Sequence, residues 1–220
     1  MSHSRLILLP GLAADERMYA PLRATGIDVE TPRLLIPFDG EVLGDYAGRT
    51  AAELDVGAHD IIGGSSFGGL VAATIARQRP VAGLVLIGST FGASGLGSAG
   101  RLFGGLLHLL PFALVGRVLT SDKAMARMFG IGAREDFAIA RTMFYDTPRQ
   151  LIDQGSWMLR NCRETTPPDC PVFAIHGALD RVLSPPPVDC TIIPDAGHGL
   201  PFTHPRQLAD FLRTVQAKLW

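Results

Sequence analysis

Serine, histidine and an acid can together turn an alcohol into a nucleophile, and this chain carries all three beside glycines where strands should end. Ser66 lies in Gly64-Ser65-Ser66-Phe67-Gly68, a G-x-S-x-G between the apolar Ile61-Ile62 and a segment with Leu70, Val71, Thr74 and Ile75 at helical spacing. That context is a strand, a sharp turn and a helix, which lifts the central serine clear of the backbone. The positions two before and two after it must lack a Cβ to clear both elements. Centring the motif on Ser65 would put Phe67 where the second glycine belongs, so the spacing selects Ser66. A plain glycine-rich turn fits the pentapeptide as well. The base, the acid and the oxyanion donors must come from elsewhere.

Two further segments supply them. His176-Gly177-Ala178-Leu179-Asp180-Arg181 follows a run ending at Ile175, and Pro194-Asp195-Ala196-Gly197-His198-Gly199 follows Cys190 to Ile193. If both runs are parallel strands, both segments leave the edge of the sheet that carries the serine turn, where ligand sites form. His198 then takes the proton of Ser66, and Asp180 fixes the imidazole and stabilises its charged form. The amides of Phe67, after the serine, and Leu12, after the Pro10-Gly11 turn, are placed to hold an oxyanion. Asp195 is the rival acid. It lies close before His198 and reads better as a brace for that loop or as solvent-facing. His176, at a strand end before glycine, reads as structural, and His3, His59, His108 and His204 lack a partner pattern. Ser89-Thr90, at another strand end, offers no carboxylate.

These residues need a sheet to position them. Arg5 to Leu9, Ile27 to Pro37, the run before the serine turn, Val81 to Ile87, Pro171 to Ile175 and Cys190 to Ile193 read as strands or extended segments. Helical spacing falls between them, at Asp15 to Arg23, Leu43 to Leu54, the segment after Phe67 and Pro205 to Leu219. The expected fold class is therefore α/β, a mostly parallel sheet with helices on both faces. From 92 to 166 a glycine- and serine-rich start gives way to helices alone: Leu106 to Leu119, Asp122 to Phe129, Glu135 to Phe144 and Thr147 to Asn161. This block is too long for a loop. It reads as a helical cap inserted into a core made of residues 1–91 and 167–220. Its apolar side chains cannot all be hidden in one thin layer, so Leu106, Met128 and Trp157 are expected to join Leu12 and Phe67 around a largely apolar cleft.

Composition narrows the function classes. The 220 residues are 47% apolar and 19% charged, which argues against disorder. The net charge of −1 leaves no basic face for nucleic acid. Cys162, Cys170 and Cys190 show no metal-ligand spacing and leave an odd thiol, pointing to a reducing, cytoplasmic setting. Leu6 to Leu9 is too short for a signal-peptide core, and Arg101 to Arg117 is broken by Gly104, Gly105, His108 and Pro111. Neither supports stable membrane insertion. No metal and no cofactor is implied, no cluster of Arg or Lys marks a phosphate or coenzyme A site, and the expected partner is a small-molecule substrate. The sequence leaves the oligomeric state unread.

Taken in order, Leu8-Leu9-Pro10-Gly11-Leu12, Gly64-Ser65-Ser66-Phe67-Gly68, His176-Gly177-Ala178-Leu179-Asp180 and Gly197-His198 resemble the α/β-hydrolase family, in its helical-capped, serine esterase-like branch. The resemblance spans almost the whole chain. It departs from many relatives at Pro10, where they carry histidine, and in starting directly on the strand before that loop, which implies a sheet of about six strands. The resemblance implies cleavage of a carboxylic ester through an acyl-enzyme on Ser66. The same residues would serve a thioesterase, an amidase or a C–C hydrolase, and such a scaffold can also carry hydroxynitrile lyase chemistry. A haloalkane dehalogenase would carry Asp at position 66. The rival from another class is a non-catalytic binding or receptor protein that keeps the pocket.

Overall fold

Short apolar runs build parallel strands, and among the described residues five of them form one sheet, deeply buried at its centre and more open at the edge that the last strand occupies. The computed structural model describes residues 4–96, 112–130, 132 and 134–220. The strands are β1 (Leu6–Leu9), β2 (Ile61–Ser65), β3 (Gly83–Ile87), β4 (Val172–Gly177) and β5 (Cys190–Ile193). They lie side by side in chain order, every pair parallel. The helices are α1 (Ala20–Arg23), α2 (Leu43–Glu53), α3 (Phe67–Gln78), α4 (Phe112–Leu119), α5 (Asp122–Phe129), α6 (Arg134–Asp146), α7 (Arg149–Asn161), α8 (Leu200–Thr203) and α9 (Pro205–Leu219).

Side chains alternate across the sheet, and each face has its own core. Ile7, Leu9, Ile62, Leu84 and Leu86 pack with Tyr46, Leu70, Val71 and Ile75 of α2 and α3. Leu6, Leu8, Ile61, Val85 and Ile87 pack on the other face with Met18, Tyr19, Leu208, Leu212 and Val215. Helices therefore cover both faces, as the alternation of elements predicts.

The expected sixth strand is a correction. Ile27 to Pro37 contributes a single parallel bridge, Ile7 to Glu30, closed by Leu8 N–H on Glu30 O and Glu30 N–H on Leu6 O, each 2.8 Å. Pro32 and Pro37 cannot donate to a ladder, so pairing stops after one residue. The bridge still matters for topology. Ile7 pairs with Ile62 of β2 on one side and touches Glu30 on the other. The chain thus leaves β1 in one direction and returns on its opposite flank, and ligand crevices form beyond the carboxyl ends of strands at such a switch.

At the amino end of the sheet, Asp60 is 2% exposed. It accepts from Arg5 Nη2 at 2.6 Å, Arg5 Nε at 3.2 Å and the Gly57 amide at 2.9 Å. Burial pushes this carboxyl up, but the Arg5 guanidinium and backbone donors outweigh it and hold it below the usual range. This cluster joins the residue before β1 to the residue before β2.

Helices α4 to α7 fall between β3 and β4 in the chain. Ser121 caps α5, and Gly130 ends it in the left-handed conformation at φ 71°. Leu151, Ile152, Gly155, Ser156 and Met158 form the buried side of α7, while Leu114, Val118 and Tyr145 are exposed.

Candidate active site

β2 ends at Ser65 and α3 starts at Phe67, so the turn between them is a single residue, Ser66, at φ 53° and ψ −119°. Such a backbone is costly for a residue with a Cβ and persists only where its surroundings hold it. The Ser66 amide donates to Ile87 O at 3.1 Å, and its carbonyl accepts the Ser89 hydroxyl at 2.6 Å. Gly68 must be glycine because a Cβ there would run into the backbone of Leu9 and Pro10.

The loops after β4 and β5 converge on this serine. His198 Nε2 lies 2.9 Å from Ser66 Oγ, and its Nδ1 lies 2.7 Å from Asp180 Oδ2. A carboxylate only accepts, so Nδ1 carries the hydrogen and Nε2 is left to accept the serine proton. Asp180 is nearly buried, with 1% of its side chain exposed. Its Oδ1 accepts the amides of Val182 at 2.8 Å and Leu183 at 3.0 Å. Burial pushes the carboxyl up; the charge of His198 and hydrogen bonds from His176 and His198 more than reverse this, holding it well below the usual carboxylate range.

His176 takes a larger part than its sequence position indicates. Its Nε2 lies 3.0 Å from Leu183 O and 3.1 Å from Asp180 Oδ2. Both partners are acceptors, so Nε2 bears the hydrogen and shares it between them. Asp195, the rival acid, is 80% exposed and faces His204 at 3.2 Å, away from the serine.

The loop that carries His198 is tied to the helical layer above it. His198 N–H points to Met128 O at 3.4 Å, and Gly199 N–H donates to Phe129 O at 2.8 Å, both carbonyls at the end of α5. The approach is close enough that a Cβ on Gly197 would sit 2.9 Å from the Gly130 nitrogen. The Phe129 ring stands 5.7 Å from the imidazole.

Beside Ser66 lies a cavity of ≈ 230 Å³. Gly11, Leu12, Ser66 and His198 are part of its lining, and Met18, Met125, Met128, Phe129, Met143 and Phe144 make much of the rest. Of the residues expected around the cleft, Leu12 and Met128 line this cavity. Phe67 is corrected: its ring is fully buried in the core, 6.1 Å from Tyr46, and only its backbone is at the turn. As the first residue of α3, it points its side chain down onto α2. Trp157 is corrected too. It lines a separate depression with Val42, Arg77 and Cys162, because α7 turns Ile152, Ser156 and Leu159 to the cavity and carries Trp157 past it. Leu106 lies outside the described residues. Ser89 escapes sequence reasoning, since one hydroxyl at a strand end has no spacing rule to mark it.

The fold and this geometry define a class. The chain belongs to the alpha/beta hydrolase family, whose model matches residues 6–211. A search of curated proteins by sequence gave no match. Among solved structures it is similar to a thermophilic esterase from Thermogutta terrifontis, with 18% identity over 99% of this chain and 91% of that one, at a TM-score of 0.72. A hydrolase from Oleispira antarctica has 13% identity over 98% and 91%, at 0.74. The esterase RhEst1 from a Rhodococcus species has 18% identity over 99% and 91%, at 0.71. At such identities the likeness is one of fold, and a fold hosts many reactions. Among the described residues no helix is long and apolar enough to cross a membrane.

Proposed function

We propose that this protein is a serine hydrolase that cleaves a carboxylic ester of a small, largely apolar substrate through an acyl-enzyme. One observation carries the reading: the His198 imidazole bridges Ser66 Oγ at 2.9 Å and Asp180 Oδ2 at 2.7 Å, as a base held in the correct tautomer would. Ser66 Oγ attacks the ester carbonyl while its proton passes to His198 Nε2. The resulting oxyanion is held by the amides of Leu12 and Phe67. The carbon–oxygen bond to the alcohol breaks as His198 returns the proton to the leaving oxygen. Water then attacks the acyl-serine by the same route and restores Ser66. Asp180, already ionised, keeps the imidazolium favourable in each half. The apolar lining supports an uncharged hydrocarbon portion next to the carbonyl. In this reading residues 92–166 act as the cap over the site. The three free cysteines support a reducing compartment.

A fluorophosphonate probe tests the reading. The wild-type chain is expected to be labelled, and Ser66→Ala to lose the label together with p-nitrophenyl ester hydrolysis, a fall of about 10⁵-fold or more in kcat. Folded wild-type protein that takes up no probe would leave a binding protein as the better description.

A further inference from the structure

We infer that Met18 is a positioning residue for the oxyanion loop, acting through its sulfur. The inference rests on the serine-hydrolase reading for its catalytic consequence, though not for its geometry. Pro10 has no N–H, so the first amide able to anchor the turn after β1 is that of Gly11. This amide donates to the Met18 sulfur at 3.3 Å in a buried contact. Gly11 is also the residue that meets the serine: a Cβ on it would lie 3.5 Å from Ser66 Cβ. The next amide along, Leu12, is the proposed oxyanion donor.

The loop needs such a hold. Ala13 sits at φ 61°, a conformation that a residue with a Cβ keeps only under constraint. The neighbouring ties come from the same short stretch. Ala14 N–H closes a turn on Gly11 O at 3.1 Å, and the Tyr19 hydroxyl donates to Leu9 O at 2.9 Å. Asp15 accepts the Arg17 amide at 3.0 Å and so starts the 3-10 turn that presents Met18 and Tyr19. Tyr19 therefore fixes the loop before Pro10, and Met18 fixes it after. Leucine would fill nearly the same volume as methionine, but it has no acceptor. The sulfur, not the bulk, is what Gly11 requires.

A donor that must meet a charge formed only in the transition state affects kcat more than KM. In full-length M18L, hydrogen exchange at the Gly11 amide is expected to quicken about tenfold or more, while the Leu8 amide, held by Glu30 O, stays unchanged. The kcat for p-nitrophenyl butyrate is expected to fall about tenfold with KM within twofold. M18Q, which keeps the side-chain length and carries an acceptor one atom further out, at Oε1, should recover part of both. Unchanged Gly11 exchange and kcat in folded M18L would overturn the assignment, as would equal losses in M18L and M18Q, which would mark a packing role. If M18L does not fold, the wild-type chain decides: Gly11 exchanging as fast as Leu12 overturns the tie, and protection of Gly11 alone supports it. A wild-type chain without turnover or probe labelling, but with Gly11 exchange that responds to M18L, would sink the hydrolase reading and leave the sulfur contact standing.

Discussion

Two aspartates are buried at opposite ends of the same sheet, and their partners separate a structural cluster from the candidate site. Asp60, before β2, faces the guanidinium of Arg5, whose charge is permanent. Asp180, after β4, faces His198 and His176, whose ring nitrogens can take and release protons. Both carboxyls accept backbone amides, and both are held below the usual carboxylate range against the push of burial. What differs is the next neighbour. His198 hands its second nitrogen on to Ser66 and a cavity, while Arg5 spends its remaining donors on Glu30 and the carbonyls of Leu54 and Asp55. A depressed carboxylate therefore marks a site only when a titratable group links it to open space.

Substitution at each end sharpens the contrast. Asp180→Asn is expected to lower kcat by about 10⁴-fold, because the amide favours the wrong imidazole tautomer; ester hydrolysis by the purified variant checks this. Asp60→Asn should leave kcat intact but cost about 2–3 kcal/mol, at or below the range for breaking a buried pair, since the Arg5 side chain is 33% exposed. Urea unfolding measures that cost. A large loss of kcat in folded Asp60→Asn would break the division between the two ends.

Acid separates them more finely. A carboxyl whose folded value lies below its unfolded value of about 3.9 contributes stability above that pH and loses it as pH falls through the folded value. The wild-type chain should therefore be steady at neutral pH and lose stability below about pH 4, with a shallower decline in Asp60→Asn. Unfolding midpoints across pH 2 to 6 report the slopes. The smallest effect is expected in the roof of the cavity. Met128→Trp should cut kcat/KM for octanoyl esters about tenfold against acetyl esters, by removing room for a few methylenes. An equal loss for both chain lengths would mean that α5 acts mainly through the His198 loop it is bonded to.

The residues of the candidate site were more legible in the sequence than its walls. The serine turn, the histidine and the acid each follow a short apolar run, and a parallel sheet sends every such run out at one edge. At that shared edge the structure brings Ser66 and Asp180 each within hydrogen-bond reach of His198. The limits of α5 and α9 also coincide with the expected ones, because a serine cap and an αL glycine bound α5 and a proline opens α9. The lining was less legible. A helix turns about 100° per residue, so Trp157 and Ser156 part ways although they are neighbours in sequence. Phe67 shows the same limit, for its backbone serves the turn while its ring belongs to the core.

Sequence by itself determined the parallel α/β class and which residue types stand at the strand ends, since strand burial and glycine-bounded turns are local properties. Only the tertiary structure decided that Ile27 to Pro37 pairs with the sheet at one residue, that His176 leans on Asp180, and that a methionine sulfur receives the Gly11 amide. Those contacts arise between side chains and backbone that packing brings within reach, and no periodicity in the chain encodes a distance of that kind.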